Sequence, residues 1–297
     1  MADGKVYFLK GTHPAEKAHG VKIIQQEYTF LTHHPSLTPF TAKIHGLVTD
    51  DDPEGWTLMV MDYLPKKTPL PPWDDDLYHE VTTAIHHYQN LFTTNQARLS
   101  FSPIIHHNIW GPLLRGEVLN WQKIFSTPPL TQGLLSLFAD ESAGDHWLTT
   151  LKPHLLANEQ KQTTLTPDGL MHGDLRSDNF IITADGVKII DWPDGIFGLK
   201  DLDLVSFIHG VSAEWLKPPH ALYLRHHQAD ASQLTQLKII NTMLAGLYAR
   251  QAWRPVPEPL PRLRWMQKMQ LYPALYWLSE LHALPKPPIF KEMTKCY

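Results

Sequence analysis

Leu170-Met171-His172-Gly173-Asp174-Leu175-Arg176-Ser177-Asp178-Asn179-Phe180-Ile181-Ile182-Thr183-Ala184-Asp185-Gly186-Val187-Lys188-Ile189-Ile190-Asp191-Trp192 is the stretch on which the reading of this chain turns. Two apolar runs, Phe180 to Thr183 and Val187 to Asp191, flank Ala184-Asp185-Gly186. A three-residue loop ending in glycine suits a β-hairpin built on a type I turn and closed by a left-handed residue. In that register Thr183 faces Val187 and Asn179 faces Asp191. Directly opposed residues share a face of the sheet and lie roughly 5 Å apart. An amide and a carboxylate then stand side by side at the open end of the hairpin, with Asp174 in the loop before it. Such oxygen ligands suit magnesium, which takes one or two carboxylates together with phosphate oxygens and water. Asp191 offers the carboxylate, Asn179 offers a carbonyl, and Asp174 is free to face a substrate hydroxyl. Taken singly, each of these residues is an ordinary loop cap or strand end. The ordered combination of His-Gly-Asp, Asn179, an apolar hairpin and Ile-Asp-Trp is far more specific.

Working outward, Val6 to Lys10 reads as a short strand, and Gly11-Thr12-His13-Pro14 as the start of a helix running from about Ala15 to His33. Ala42 to Val48 and Trp56 to Tyr63 read as two further strands, joined by the acidic turn Thr49 to Gly55. Leu64 to Pro72 is rich in proline and continues neither strand nor helix, so it marks a hinge. Beyond it helices are expected over about 75–95, 130–158, 200–210, 230–254 and 262–283. Leu234, Leu237, Ile240, Leu244, Leu247 and Tyr248 recur at helical spacing and give one of these helices a buried face. Pro255 to Pro261 separates the last two, and Pro273 is expected to kink the final one. The division is a small α/β segment over 1–63, a hinge over 64–72, and a large helical region over 73–297 that carries the hairpin.

The 297 residues include 26 basic and 30 acidic side chains, a net charge of −4, so no basic stripe marks a nucleic-acid binder. One cysteine, Cys296, makes no internal disulfide and suits a reducing compartment. The N-terminus lacks the layout of a signal peptide. No apolar run approaches the roughly 20 residues that cross a bilayer. A cytoplasmic protein without membrane contact is expected. The 18 histidines come largely as neighbours, such as His33-His34, His86-His87, His106-His107 and His226-His227. Adjacent side chains point apart and do not share an ion, so these read as surface and interface residues.

The segment His172 to Trp192 resembles the catalytic core of the aminoglycoside phosphotransferase and choline kinase family, which shares its fold with protein kinases. Ile190-Asp191-Trp192 stands where protein kinases have Asp-Phe-Gly. The resemblance implies an α+β, protein-kinase-like two-lobed fold, with a small β-rich N-terminal lobe and a large helical C-terminal lobe carrying the hairpin. It implies ATP and Mg2+ as cofactors and a small-molecule hydroxyl as acceptor. Asp174 is then the catalytic base or hydroxyl-orienting group, Asn179 and Asp191 hold the metal, and His172 supports the loop. Asp203, in Gly198-Leu199-Lys200-Asp201-Leu202-Asp203-Leu204, resembles a structural brace. Lys10 resembles the lysine that contacts the nucleotide phosphates, and Glu27 its ion-pair partner. Met61 is expected to line the adenine pocket, and the backbone of Asp62 and Leu64 to bond the adenine edge.

The family's glycine-rich hairpin has no counterpart: nine residues precede Lys10, with Gly4 the only glycine among them. An N-terminal lobe that is incomplete, with a shortened N-terminus, is therefore expected. The alternative is a catalytically silent, kinase-like nucleotide-binding or interaction module. A protein kinase fits less well, since Trp192 to Asp203 leaves no room for a long activation loop. Aminoglycoside-like, other sugar and amino-alcohol acceptors all stay open. Asp140, Glu141 and Asp145 could hold a polyamine, but acidic residues also favour a helix's first turn, and that reading comes first. Trp147, Trp215 and Trp253 read as buried aromatics before sugar-stacking ones.

Overall fold

A computed structural model describes residues 5–13, 20–50, 55–91, 110–227, 230–258 and 260–293. In chain order the elements are β1 (Tyr7–Thr12), α1 (Gly20–His33), β2 (Ile44–Thr49), β3 (Thr57–Asp62), α2 (Asp75–Asn90), α3 (Trp110–Leu114), α4 (Asn120–Ser126), α5 (Pro128–Leu135) and α6 (Glu141–Glu159). There follow β4 (Gly169–Met171), β5 (Phe180–Thr183), β6 (Gly186–Ile189), β7 (Ile196–Gly198), α7 (Lys200–Trp215), α8 (Pro219–Leu224), α9 (Ala231–Ala249) and α10 (Leu263–Leu281). The helix start expected at Pro14 and Ala15, most of the acidic turn after Asp50, His106-His107 and Cys296 lie outside the described residues. Among the described residues no helix is long and apolar enough to cross a membrane.

Contacts group the chain into two compact units, residues 1–108 with 167–203, and 109–166 with 204–297. In the first, β1, β3 and β2 form an antiparallel sheet in that order. Alternate residues of β3, Thr57, Met59 and Met61, are buried, as a half-buried strand requires. Met59 and Met61 join Ile24 of α1 and Ala42 in one apolar cluster. The Leu64 to Pro72 stretch lies within this unit, where Lys67 N donates to Ile182 O at 2.7 Å. Helix α2 starts where Asp74 accepts from Leu77 N at 2.8 Å, with Asp75 and Asp76 in its positive first turn. Its buried face, Tyr78, Val81, Ile85 and Tyr88, keeps helical spacing.

The hairpin closes one residue tighter than its sequence suggests. Thr183 pairs with Gly186 and Phe180 with Ile189, so Ala184-Asp185 alone makes the turn. Gly186 joins the strand at φ +104°, a conformation its missing side chain permits. Thr183 Oγ1 donates to Gly186 O at 2.8 Å and accepts from Asp185 N at 3.2 Å, which satisfies the tighter turn. Asn179 therefore stands opposite Ile190, whose N–H donates to Asn179 O at 3.0 Å, and Asp191 lies one residue beyond it.

In the second unit the single helix expected over 130–158 is two, α5 and α6, because the chain leaves helical geometry before Asp140 and is capped afresh there. Asp140 accepts from Ala143 N at 3.0 Å, and Glu141 meets Lys291 at 2.9 Å. The first-turn reading of these acids is the one the geometry supports. Helix α9 buries Leu237, Ile240, Leu244 and Tyr248 of the apolar stripe, leaves Leu234 and Leu247 half-buried, and opens with an Asp230–Gln233 capping box. Glu159 is buried where its carboxylate accepts from Trp121 N and Gln122 N, both at 2.8 Å, at the start of α4.

His209 is wholly buried in this unit, with Nε2 2.7 Å from Asn241 Oδ1. Burial lowers its pKa to about 4, against the pull of Asn241. Between about 4 and the ordinary value of about 6.5, the unfolded chain binds the proton and the folded chain does not. Stability therefore falls as pH drops through that window, by about 3 kcal/mol from this one group. Chemical unfolding at pH 7 and pH 4.5 should show His209→Gln with a flatter pH dependence than the wild type. Identical slopes would remove His209 as a source of acid lability.

Candidate active site

The site begins with strand register. Lys10 lies opposite Met59 and Phe8 opposite Met61, so both side chains share the face of β1 that turns toward α1. Lys10 Nζ donates to Glu27 Oε2 and to Asp191 Oδ1, the latter at 2.5 Å. Glu27 is buried, and its other oxygen accepts from Trp192 N at 3.0 Å. One carboxylate thus ties the lysine strand to the end of the hairpin. Burial opposes the Lys10 ammonium, but Glu27 and Asp191 outweigh it and hold its pKa above the ordinary lysine value. For Asp191 burial works upward, and Lys10 outweighs it and holds the carboxyl low. Asp191 also takes φ +69°, a left-handed conformation uncommon outside glycine. The Lys10 and Glu27 contacts on either side of that backbone over-determine it, as strained residues at functional sites require.

The loop before the hairpin is held from beneath. His172 is wholly buried, with Nε2 donating to Ile190 O at 2.9 Å and Nδ1 accepting from Asp174 N at 3.2 Å. Burial lowers its pKa to about 4, which keeps the imidazole neutral as that pattern requires. Asp203 accepts from His172 N, from Gly173 N at 2.9 Å and from the Tyr88 hydroxyl at 2.8 Å. Its burial pushes the carboxyl up to about 6, opposed by these three donors.

Asp174 sits on top of this brace. Burial raises its carboxyl to about 6, while Arg176 pulls downward. Beside it, Arg176 Nη1 lies 2.8 Å from Asp174 Oδ2. Asn179 Nδ2 donates to Asp174 O at 2.8 Å, so its amide oxygen is the atom that could meet a cation.

A cavity of about 330 Å³ in this unit is lined by Lys10, Glu27, Met61, Asp62, Leu64, Asn179 and Asp191. Those seven predicted residues meet around one space, whose apolar walls include Ala42, Ile181 and Ile190. His172, Asp174 and Asp203 do not line it. They adjoin it through the Asn179–Asp174 and His172–Ile190 bonds. Phe8 also lines the cavity and was missed, although strand alternation from Lys10 points to it. Nothing local signals Tyr88, which meets Asp203 across 115 positions. Among the described residues no cluster of three or more His, Cys, Asp or Glu makes a metal cage. Asp191 and Asn179 offer two hard oxygen donors, a set that fits a cation completed by phosphate oxygens and water.

Comparison with solved structures places the chain beside aminoglycoside phosphotransferases. The GDP and kanamycin complex of APH(2")-IIIa superposes with a TM-score of 0.56 at 14% identity, over 95% of this chain and 88% of that one. A thermostable APH(4)-Ia in ternary complex with ADP and hygromycin B gives 0.54 at 13% identity, over 92% and 88%. An aminoglycoside phosphotransferase from Alicyclobacillus acidocaldarius gives 0.53 at 13% identity, over 95% and 87%. At these identities the likeness shows the fold, the α+β kinase-like class expected from the sequence. No curated protein matches the chain by sequence. The sequence profile of the phosphotransferase enzyme family matches residues 2–235. With the family's fold, and with a profile match over most of its length, this chain belongs to the phosphotransferase enzyme family.

Proposed function

We propose that the chain transfers the γ-phosphate of ATP to a hydroxyl of a small molecule, in the cytoplasm and with Mg2+. The observation that carries this reading is the convergence of Lys10, Glu27, Asn179 and Asp191 on one cavity, with Asp174 bonded to its edge. The apolar walls formed by Met61, Ala42, Ile181 and Ile190 suit a flat base, and Phe8 can lie against it. In this reading backbone groups of Asp62 and Leu64 bond the base edge, Asp62 through its carbonyl, since its N–H donates to Lys43 O at 2.9 Å. Lys10, held by Glu27, supplies positive charge to the phosphates. Asp191 and Asn179 hold the cation, which when bound neutralises phosphate charge. Asp174 accepts the proton, or a hydrogen bond, from the attacking hydroxyl.

Two of the solved structures named above hold kanamycin or hygromycin B, which supports a hydroxylated acceptor of the sugar, aminoglycoside or amino-alcohol class. Asp140 and Glu141 are engaged in a helix cap and an ion pair, so they add no argument for a polyamine.

Calorimetric titration of ATP, with and without magnesium, tests the reading. Asp191→Ala should lose the magnesium-dependent part of binding, about 100-fold or more in Kd, because one of the two hard donors is gone. A mutant that keeps wild-type magnesium-dependent affinity would refute the placement of the cation.

A further inference from the structure

Arg176 belongs to no part of the reading above, yet its guanidinium meets two carboxylates, Asp178 and Asp174. Its Nε and Nη2 meet both oxygens of Asp178, at 3.0 and 3.1 Å. The remaining arm, Nη1, reaches Asp174 Oδ2 at 2.8 Å. The backbone turn that follows fixes this arrangement, since Asn179 N donates to Arg176 O at 2.9 Å. A single turn thus sets Arg176, its anchor Asp178, and Asn179. The pairing is not an ordinary exposed ion pair. The Arg176 side chain is 27% exposed while its anchor Asp178 is 61% exposed, so the charge is held inward from a solvated base.

We propose that Arg176 is a positioning residue for phosphoryl transfer: anchored by Asp178, it holds the Asp174 carboxylate at the angle from which it meets the acceptor hydroxyl. A planar fork can bond two carboxylates at once in fixed directions. A lysine ammonium carries the same charge but cannot reproduce that plane. Misplacing a reacting group by about 1 Å costs about 100-fold in rate, so the fork matters more than the charge. The inference rests on the nucleotide-site reading, and its test separates the two.

The acceptor being unidentified, transfer to water is followed as phosphate release from Mg-ATP, beside calorimetric Mg-ATP affinity, for the full chain. Arg176→Gln and Arg176→Lys should bind Mg-ATP as the wild type does and release phosphate about 100-fold more slowly. Asp178→Asn, which loosens the anchor and leaves the Nη1 contact, should fall between them and the wild type. Arg176→Ala should regain part of its lost rate with added guanidinium chloride, and none with ammonium chloride. Wild-type turnover in Arg176→Gln or Arg176→Lys overturns the proposal. Loss of affinity in step with rate overturns it too, because it assigns Arg176 to the fold of the loop. A wild type that binds no Mg-ATP sinks the nucleotide reading, whereas normal binding with unaltered variants sinks only the role of Arg176.

Discussion

Asp174→Asn should slow phosphoryl transfer by about 10²–10⁴-fold and leave Mg-ATP affinity close to that of the wild type. The asparagine keeps the size of the side chain and can still meet Arg176 through its oxygen, so the loop has no reason to move. What it loses is the capacity to accept a proton. Asp174 adjoins the cavity through its backbone carbonyl, which Asn179 holds, and contributes no side chain to the cavity wall. Binding and chemistry should therefore separate cleanly. The measurement is phosphate release with hydroxylated acceptors, alongside calorimetry on the same preparation. Turnover at the wild-type rate would remove Asp174 from the chemistry. A parallel loss of affinity would mean that its part in the site is architectural.

Asp203→Ala should destabilise the protein by about 3–5 kcal/mol, the largest stability effect expected of any single site residue. The carboxylate takes three donors, His172 N, Gly173 N and the Tyr88 hydroxyl, in a fully buried position. Alanine removes the buried acceptor that these three donors share, and an unsatisfied buried donor costs about 1–3 kcal/mol. Tyr88→Phe removes one donor together with its bond and should cost only about 1 kcal/mol. Combined with Asp203→Ala it should cost less than the sum, since the tyrosine hydroxyl no longer needs an acceptor. Urea unfolding of the two single variants and the double variant measures this directly. Full additivity, or an Asp203→Ala midpoint equal to the wild type, would show that the brace does not hold the loop.

The two predictions concern features that the sequence revealed to different degrees. The residue types of the loop and hairpin were legible because they lie within a few positions of one another. His172, Asp174 and Asn179 sit in one loop, and alternating apolar runs with a glycine turn announce the hairpin without any distant partner. Lys10 and Glu27 drew their roles from resemblance, and register and helix geometry then brought them within bonding distance. Phe8 was available from the same alternation and was passed over.

Other features had no local signal. Gly186 permits either a two-residue or a three-residue loop, and the choice moved Asp191 one position past Asn179. The Tyr88–Asp203 bond and the Lys10–Asp191 ion pair span 115 and 181 positions. Nor did the sequence point to the ion pair between Asp174 and Arg176.

By itself the sequence determined the hairpin and the order of the chemical groups along the chain, because short-range spacing and turn chemistry encode them, and its resemblance to a known family implied the α+β kinase-like class. The tertiary structure alone decided which carboxylate each cation meets, what braces the loop before the hairpin, and in which register the hairpin closes. Those outcomes depend on long-range packing, where a side chain's partner is whichever group the fold buries beside it, and desolvation then makes that partner obligatory.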